Sequence, residues 1–315
     1  MAVYAIKRIL QLVPVLLIVS LIVFFIIQLI PGDPVAVMLG EDAQDPEMYE
    51  LLRAELGLDR PIHVQYLSWL GRVLQGDFGQ SLRSKRPVWD IVMERYPPTV
   101  YLACGSLLVG VLIAIPAGMV AAVKQNTPYD YAAMSFALFG ISVPNFFFAI
   151  LLMLIFGVYL GWLPTIGYVA PGTDFLKFLQ YMTLPAIVLG TDVASSTTRY
   201  VRAEMLDQLR LDYVRAARAK GLPRRRVLFK HVLRNSLIAA TTVIGLFVGR
   251  LLGGSTVVET VFAWPGLARL VLEAVYARDY PVLQGAVLLL ALGYVVVNLL
   301  VDLLYQWLNP RIRLT

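Results

Sequence analysis

Six long apolar runs, separated by segments that hold most of the charge, constrain this chain more than any other feature. They lie near Ile9–Ile30, Thr99–Val123, Tyr131–Leu160, Met182–Tyr200, Ser236–Val258 and Val282–Leu304. A hydrocarbon core about 30 Å thick takes about 20 residues of helix, and in lipid each segment must satisfy its own backbone groups. The runs therefore predict an all-α, polytopic membrane protein with six transmembrane helices. Only 15% of the residues are charged, where a soluble domain carries about 25%. The fourth run is the weakest, because Thr191, Asp192, Ser195, Ser196, Thr197 and Thr198 dilute it. Pro14, Pro116 and Pro144 lie in apolar patterns that continue beyond them, which predicts kinks rather than helix ends. Lys7 and Arg8 precede the first run, as in a signal peptide. That run exceeds the roughly 7–15 residues of a signal h-region, and no small-x-small site follows, so it reads as a retained span.

Lysine and arginine set the orientation. The segment 199–235 holds eleven of them against three acids, whereas 31–98 holds seven against eleven acids. Short basic segments stay inside, so both termini and the 199–235 loop are expected in the cytoplasm (N-in/C-in), a parity that six spans satisfy. The expected division is a first transmembrane helix (1–30), a small extracytoplasmic helical domain (31–98), a five-helix transmembrane core (99–308) with a cytoplasmic loop at 201–235, and a tail (309–315). Within 31–98, Pro46 opens a helix that Gly57 ends. Pro61 opens another, whose face is expected to carry Val64, Leu67, Leu70 and Leu74. About 68 residues bury little core alone, so this domain should pack on membrane helices or on a partner.

Several chemistries are excluded. The net charge of +6 is concentrated in one loop, which argues for a membrane topology signal rather than nucleic-acid binding. Cys104 is the single cysteine, and His63 and His231 stand apart from any ligand cluster, so no metal site is expected. No span carries a Ser/His, paired-Asp or His-rich constellation, so no catalytic residues are assigned. The chain has no Gly-x4-Gly-Lys-Ser/Thr and no Gly-Lys dipeptide, hence no phosphate cradle and no bound cofactor.

The cytoplasmic loop is the most informative segment. Leu206, Leu209, Tyr213, Ala216 and Ala217 recur at helical spacing, which predicts one amphipathic face. Gly221 and Pro223 then stop the helix. A second amphipathic helix is expected from Arg224 to Arg234, with Val227, Leu228, His231 and Val232 on one side. Such a basic helix either lies on anionic headgroups or seats its alanines in another protein's groove.

The sequence Asp212-Tyr213-Val214-Arg215-Ala216-Ala217-Arg218-Ala-Lys-Gly221-Leu222 resembles the Glu-Ala-Ala-x3-Gly loop of bacterial ABC importer permeases, between the fourth and fifth of six spans. Arg215 stands where the general pattern has glutamate and Arg234 where it often has proline, which is similar to the peptide and nickel branch. Further segments resemble that branch: Ile30-Pro-Gly-Asp-Pro34, Leu56-Gly-Leu-Asp-Arg-Pro61, Gly76-Asp-Phe-Gly-Gln-Ser81, Ser142-Val-Pro-Asn-Phe146, Gly161-Trp-Leu-Pro164, Val258-Glu-Thr-Val-Phe-Ala-Trp-Pro-Gly266, Arg278-Asp-Tyr-Pro281 and Asn298-Leu-Leu-Val-Asp302. The resemblance implies the first of two paired permeases. It also implies two cytoplasmic ATPase subunits that hold ATP and magnesium, and an extracytoplasmic solute-binding protein. The loop residues named above would form the coupling helix that docks on the ATPase. Implied cargoes are di- or oligopeptides first, with nickel complexes, glutathione or oligosaccharides as alternatives. A membrane receptor or scaffold is the reading from another class.

Two charges fall well inside spans, away from their ends: Asp192 in the fourth and Arg250 in the fifth. Counting about 1.5 Å per residue from opposite ends puts them at similar depth in the outer half of the bilayer. They are expected either to form a structural ion pair or to line the pathway. Trp162 and Trp264 sit near expected outer boundaries and read as interfacial anchors. Trp264 with Pro265 is also a candidate outer gate.

Overall fold

The computed structural model describes residues 2–29, 35, 46–55, 58–253 and 255–308; the Ile30–Pro34 motif, the stop at Gly57 and the tail arginines Arg311 and Arg313 lie outside them. Among the described residues the regular elements are helices, apart from one isolated bridge between Gln80 and Pro87. In order they are α1 (Ala2–Leu29), α2 (Pro46–Glu55), α3 (Ile62–Leu74), α4 (Val88–Val123), α5 (Pro128–Ser142), α6 (Asn145–Leu152), α7 (Phe175–Leu209), α8 (Asp212–Ala219), α9 (Arg224–Arg226), α10 (Arg234–Gly253), α11 (Thr256–Val261), α12 (Leu267–Ala277) and α13 (Tyr280–Leu308). Stretches of π-helix extend α6 from Met153 to Tyr159 and join α9 to α10 over Val227–Leu233. The chain forms two compact units, 1–97 with 265–295 and 98–264 with 296–315.

In the first unit α3 lies against α1. Ser20 Oγ and the Tyr66 hydroxyl are 2.8 Å apart in a hydrogen bond, and Phe24 meets Tyr66 edge-on at 5.4 Å between centroids. Only part of the expected apolar face of α3 is covered within this chain, Val64 and Leu70 being half-buried. Leu67 and Leu74 are 63% and 79% exposed, and the aromatic residues Tyr66 and Trp69 make the contact with Phe24 instead. Large rings bury more area per residue and set the rotation of the helix. A second core joins Val88 and Val92 of α4 to Leu267, Leu270, Val282 and Ala286. Beside it Asp279 accepts hydrogen bonds from Ser81 Oγ and, at 3.1 Å, from the Leu82 N–H.

The second unit is built around α7, which packs on α5, α6 and α10. It runs past the expected Met182–Tyr200 at both ends. A Cβ at Gly110 would lie 2.7 Å from Val193 Cβ, and one at Gly190 only 2.9 Å from the Ser106 carbonyl. Both glycines let the backbones of α4 and α7 approach closely. The polar residues that dilute this segment are sorted by face. Thr191, Ser195, Thr197 and Thr198 are buried, while Asp192 and Ser196 are half-buried and Arg199 is exposed.

Pro144 does not kink a continuous helix. The helices on either side, Pro128–Ser142 and Asn145–Tyr159, are bent by 107°. Pro144 clashes with a helical residue before it, so Val143 is extended (φ −84°, ψ 124°) and the chain restarts at Asn145. Pro14, by contrast, lies inside α1. The separate helix expected at Arg224–Arg234 is also corrected. α9, the π-stretch and α10 run on without a break from Arg224 to Gly253.

By length and composition, Val88–Val123 and Tyr280–Leu303 can each cross a membrane, and the bent pair would make a third. The apolar stretches Leu10–Phe25 and Val243–Gly253 are shorter. The described residues thus carry two or three such spans where the apolar runs predict six.

Candidate functional site

The loop that resembles a coupling helix forms α8. α7 ends at Leu209, and Leu211 takes an extended conformation (φ −73°, ψ 151°) before Asp212 opens the next helix. The single amphipathic face expected from Leu206 to Ala217 is therefore split between two helices. Its members still meet, because Leu206, Leu209 and Tyr213 all pack on one core formed by Val214, Ala217, Met205, Val201, Val227 and Val232. Ala216 does not join them and is exposed. Tyr213 donates its hydroxyl to Gln208 Oε1 at 2.7 Å, tying the end of α7 to the start of α8.

The opposite face of α8 presents Asp212, Arg215, Ala216 and Arg218. Asp212 and Arg215 pair one turn apart with side chains 91% and 75% exposed, so water screens most of their attraction. Asp212 in the first turn and Arg218 in the last complement the helix dipole. Gly221 closes the helix at φ +74°. Its N–H bonds the Arg218 carbonyl at 3.0 Å, and the Leu222 N–H reaches Ala217 at 3.3 Å. No atom would lie within 4 Å of a Cβ at Gly221. The glycine is required by backbone conformation alone, and Leu222 returns to the core.

Beside this loop is a pair that sequence patterns did not reveal. Arg202 of α7 donates through Nε to Asp130 Oδ1 at 2.6 Å and through Nη2 to Oδ2 at 2.8 Å. Asp130 also accepts from the Asn126 N–H at 3.0 Å, and its side chain is 3% exposed. The guanidinium and the backbone N–H together satisfy the buried carboxylate from two sides. The one available signal was a lone acid in a short loop otherwise carrying Lys124.

Asp192 and Arg250 are brought together. Arg250 Nη2 lies 3.6 Å from Asp192 Oδ2, with the arginine side chain 68% exposed. That distance exceeds a hydrogen bond. The guanidinium also lies 5.3 Å from the Phe247 ring centroid. A small cavity of about 60 Å³ is lined by Asn145, Leu189, Asp192, Phe247, Arg250 and Leu251. A larger one of about 560 Å³ is lined by Ile141, Ser196, Arg199, Tyr200 and Ala203.

Trp264 is not an interfacial anchor. It is fully buried, donates its indole N–H to the Pro98 carbonyl at 2.9 Å, and meets Tyr168 edge-on at 4.8 Å. Any gating movement of Trp264 would have to break these contacts. Trp162, at 67% exposure, has the surface position expected of an anchor.

The model of the family described as binding-protein-dependent transport system inner membrane component matches residues 114–314, and that of its N-terminal part matches 1–103. The glutathione transport system permease protein GsiC of Salmonella choleraesuis is 46% identical over 310 residues, 98% of each chain. Its Escherichia coli counterpart is 44% identical over the same shares. Among solved structures, inward-facing conformations of the MetNI methionine ABC transporter share the fold, with a TM-score of 0.59 at 17% identity over 70% of this chain and 96% of that one.

Proposed function

The chain belongs to the family of binding-protein-dependent transport system inner membrane components, and from that membership we propose that it is the first of two paired permeases in an ABC importer for glutathione or closely similar peptides. Full-length identity of 44–46% to glutathione permeases carries the cargo reading. It favours glutathione over the general di- or oligopeptides that the sequence resemblance put first.

The chain is the membrane path, and ATP is hydrolysed on two separate cytoplasmic subunits. An extracytoplasmic binding protein delivers cargo to this permease and its companion. In this reading the chain crosses the membrane six times with both termini inside, the bent pair α5–α6 serving as one span. α8 is the docking element. Its inner face is held by the core around Val214 and Ala217, which leaves Asp212, Arg215, Ala216 and Arg218 to meet an ATPase cleft. ATP-driven closure of that cleft draws α8 inward and switches the access of the pathway. Arginine suits such docking because its planar fork bonds carboxylates and backbone carbonyls.

The test is purification in mild detergent followed by uptake in proteoliposomes. Two ATPase chains and a second permease should co-purify. Radiolabelled glutathione presented on the binding protein should then accumulate with ATP. Uptake of dipeptides without glutathione would overturn the cargo reading, and a purified complex without ATPase activity would overturn the importer reading in favour of a scaffold.

A further inference from the structure

Asp192, Ser196, Arg199 and Ala203 are spaced by four, three and four residues along α7, so they share one helix face. This face meets the break between α5 and α6, because its two cavities are lined by Ile141 just before the break and Asn145 just after it. Arg250 of α10 adds a second guanidinium at one end. The stripe stands inside or at the edge of a membrane segment, where an ionised group must face protein or water.

The pair Asp192–Arg250 differs in kind from Asp130–Arg202. The latter is a closed, two-point contact at 2.6 and 2.8 Å on a side chain that is 3% exposed. In the former, a single approach of 3.6 Å leaves the guanidinium 68% exposed. That approach is too long for a hydrogen bond, so the exposed guanidinium keeps donors for a further partner. The adjoining cavity of about 560 Å³ is within the range of small-molecule sites, about 300–1,000 Å³.

We propose that Arg250, Asp192 and Arg199 form a binding stripe for a zwitterionic peptide carrying two carboxylates and one ammonium. The charges match by number and sign: two guanidiniums for the carboxylates and one carboxylate for the ammonium. Asp192 and Arg199 are seven residues apart, about 10 Å along the helix axis, and an extended tripeptide spans about 10 Å. Ser196 lies between them and offers a hydroxyl to the peptide backbone. The identity of the peptide as glutathione rests on the proposed function, but the existence of the stripe does not.

Two measurements on the complete complex separate these points. In a Cys104→Ala background, Ser196→Cys is exposed to anionic and cationic thiosulfonate reagents in nanodiscs. The anionic reagent should react on the order of tenfold faster, as field steering in a cleft predicts, and Arg199→Gln should reduce that preference. In proteoliposomes, Arg199→Gln and Arg250→Gln should each lower uptake of S-methylglutathione by roughly tenfold or more, the scale of one lost charge-assisted hydrogen bond. Arg250→Lys should restore part of it. An unreactive Ser196→Cys in the complete complex overturns the proposal, because the stripe is then covered by lipid or by the companion permease. Equal rates for the two reagents, or wild-type uptake in both glutamine variants, overturn it as well. A wild-type complex that takes up a dipeptide but no S-methylglutathione removes the cargo reading alone. The labelling then decides the stripe.

Discussion

Arg202 grips Asp130 through two parallel hydrogen bonds across 72 residues of sequence, fastening α7 to the start of α5. Removing one partner of such a buried pair leaves an uncompensated charge, at about 3–5 kcal/mol in a fully buried setting. Arg202 keeps 24% exposure, so Asp130→Ala should cost about 2–3 kcal/mol. A lowered thermal midpoint of the purified complex checks this, and an unchanged midpoint refutes it.

Gly221 sits at φ +74° with open space around it. Gly221→Ala should cost about 1–2 kcal/mol from the left-handed backbone alone. Gly221→Asp adds a charge to the proposed docking face and should abolish stimulation of the partner ATPase by the loaded binding protein. Full stimulation in the aspartate variant would sink the docking role of α8.

Trp264 is a buried donor to the Pro98 carbonyl. Trp264→Phe removes that buried hydrogen bond and the indole's packing, at about 0.5–1.5 kcal/mol for the hydrogen bond alone, whereas Trp162→Phe on the exposed ring should be nearly neutral. Thermal midpoints of the two variants measured side by side decide the matter. Equal losses would contradict the assignment of Trp264 to the core.

Local signals in the sequence reached the elements but not their partners. Pro46 and Pro61 marked the starts of α2 and α3, and Gly221 with Pro223 marked the exit from α8, because each depends on backbone preference. The split at Arg210–Leu211 was missed, since neither residue is a glycine or proline and the apolar spacing continues through it. Pro14 and Pro144 look alike in their apolar surroundings, yet only the latter breaks its helix. Trp264 and Trp162 share a residue type and a boundary position, and distant segments around Pro98 and Tyr168 separate them. Asp130–Arg202 left no periodic trace, being a contact between the first turn of one helix and the face of another. Asp192 and Arg250 were legible because charge in an apolar run is costly. Their openness was not, because it depends on a distance.

The core beneath α8 has a mechanical consequence. It is shared by Val201 and Met205 near the end of α7, by Val227 and Val232 in the π-stretch, and by Ala240 in α10. A push on α8 would thus reach the two long helices that carry Asp192 and Arg250 through one shared core. If α8 docks on the ATPase as proposed, the gap between those two charges would gauge the stroke, and the proposed grip on cargo would share one set of levers with the power supply.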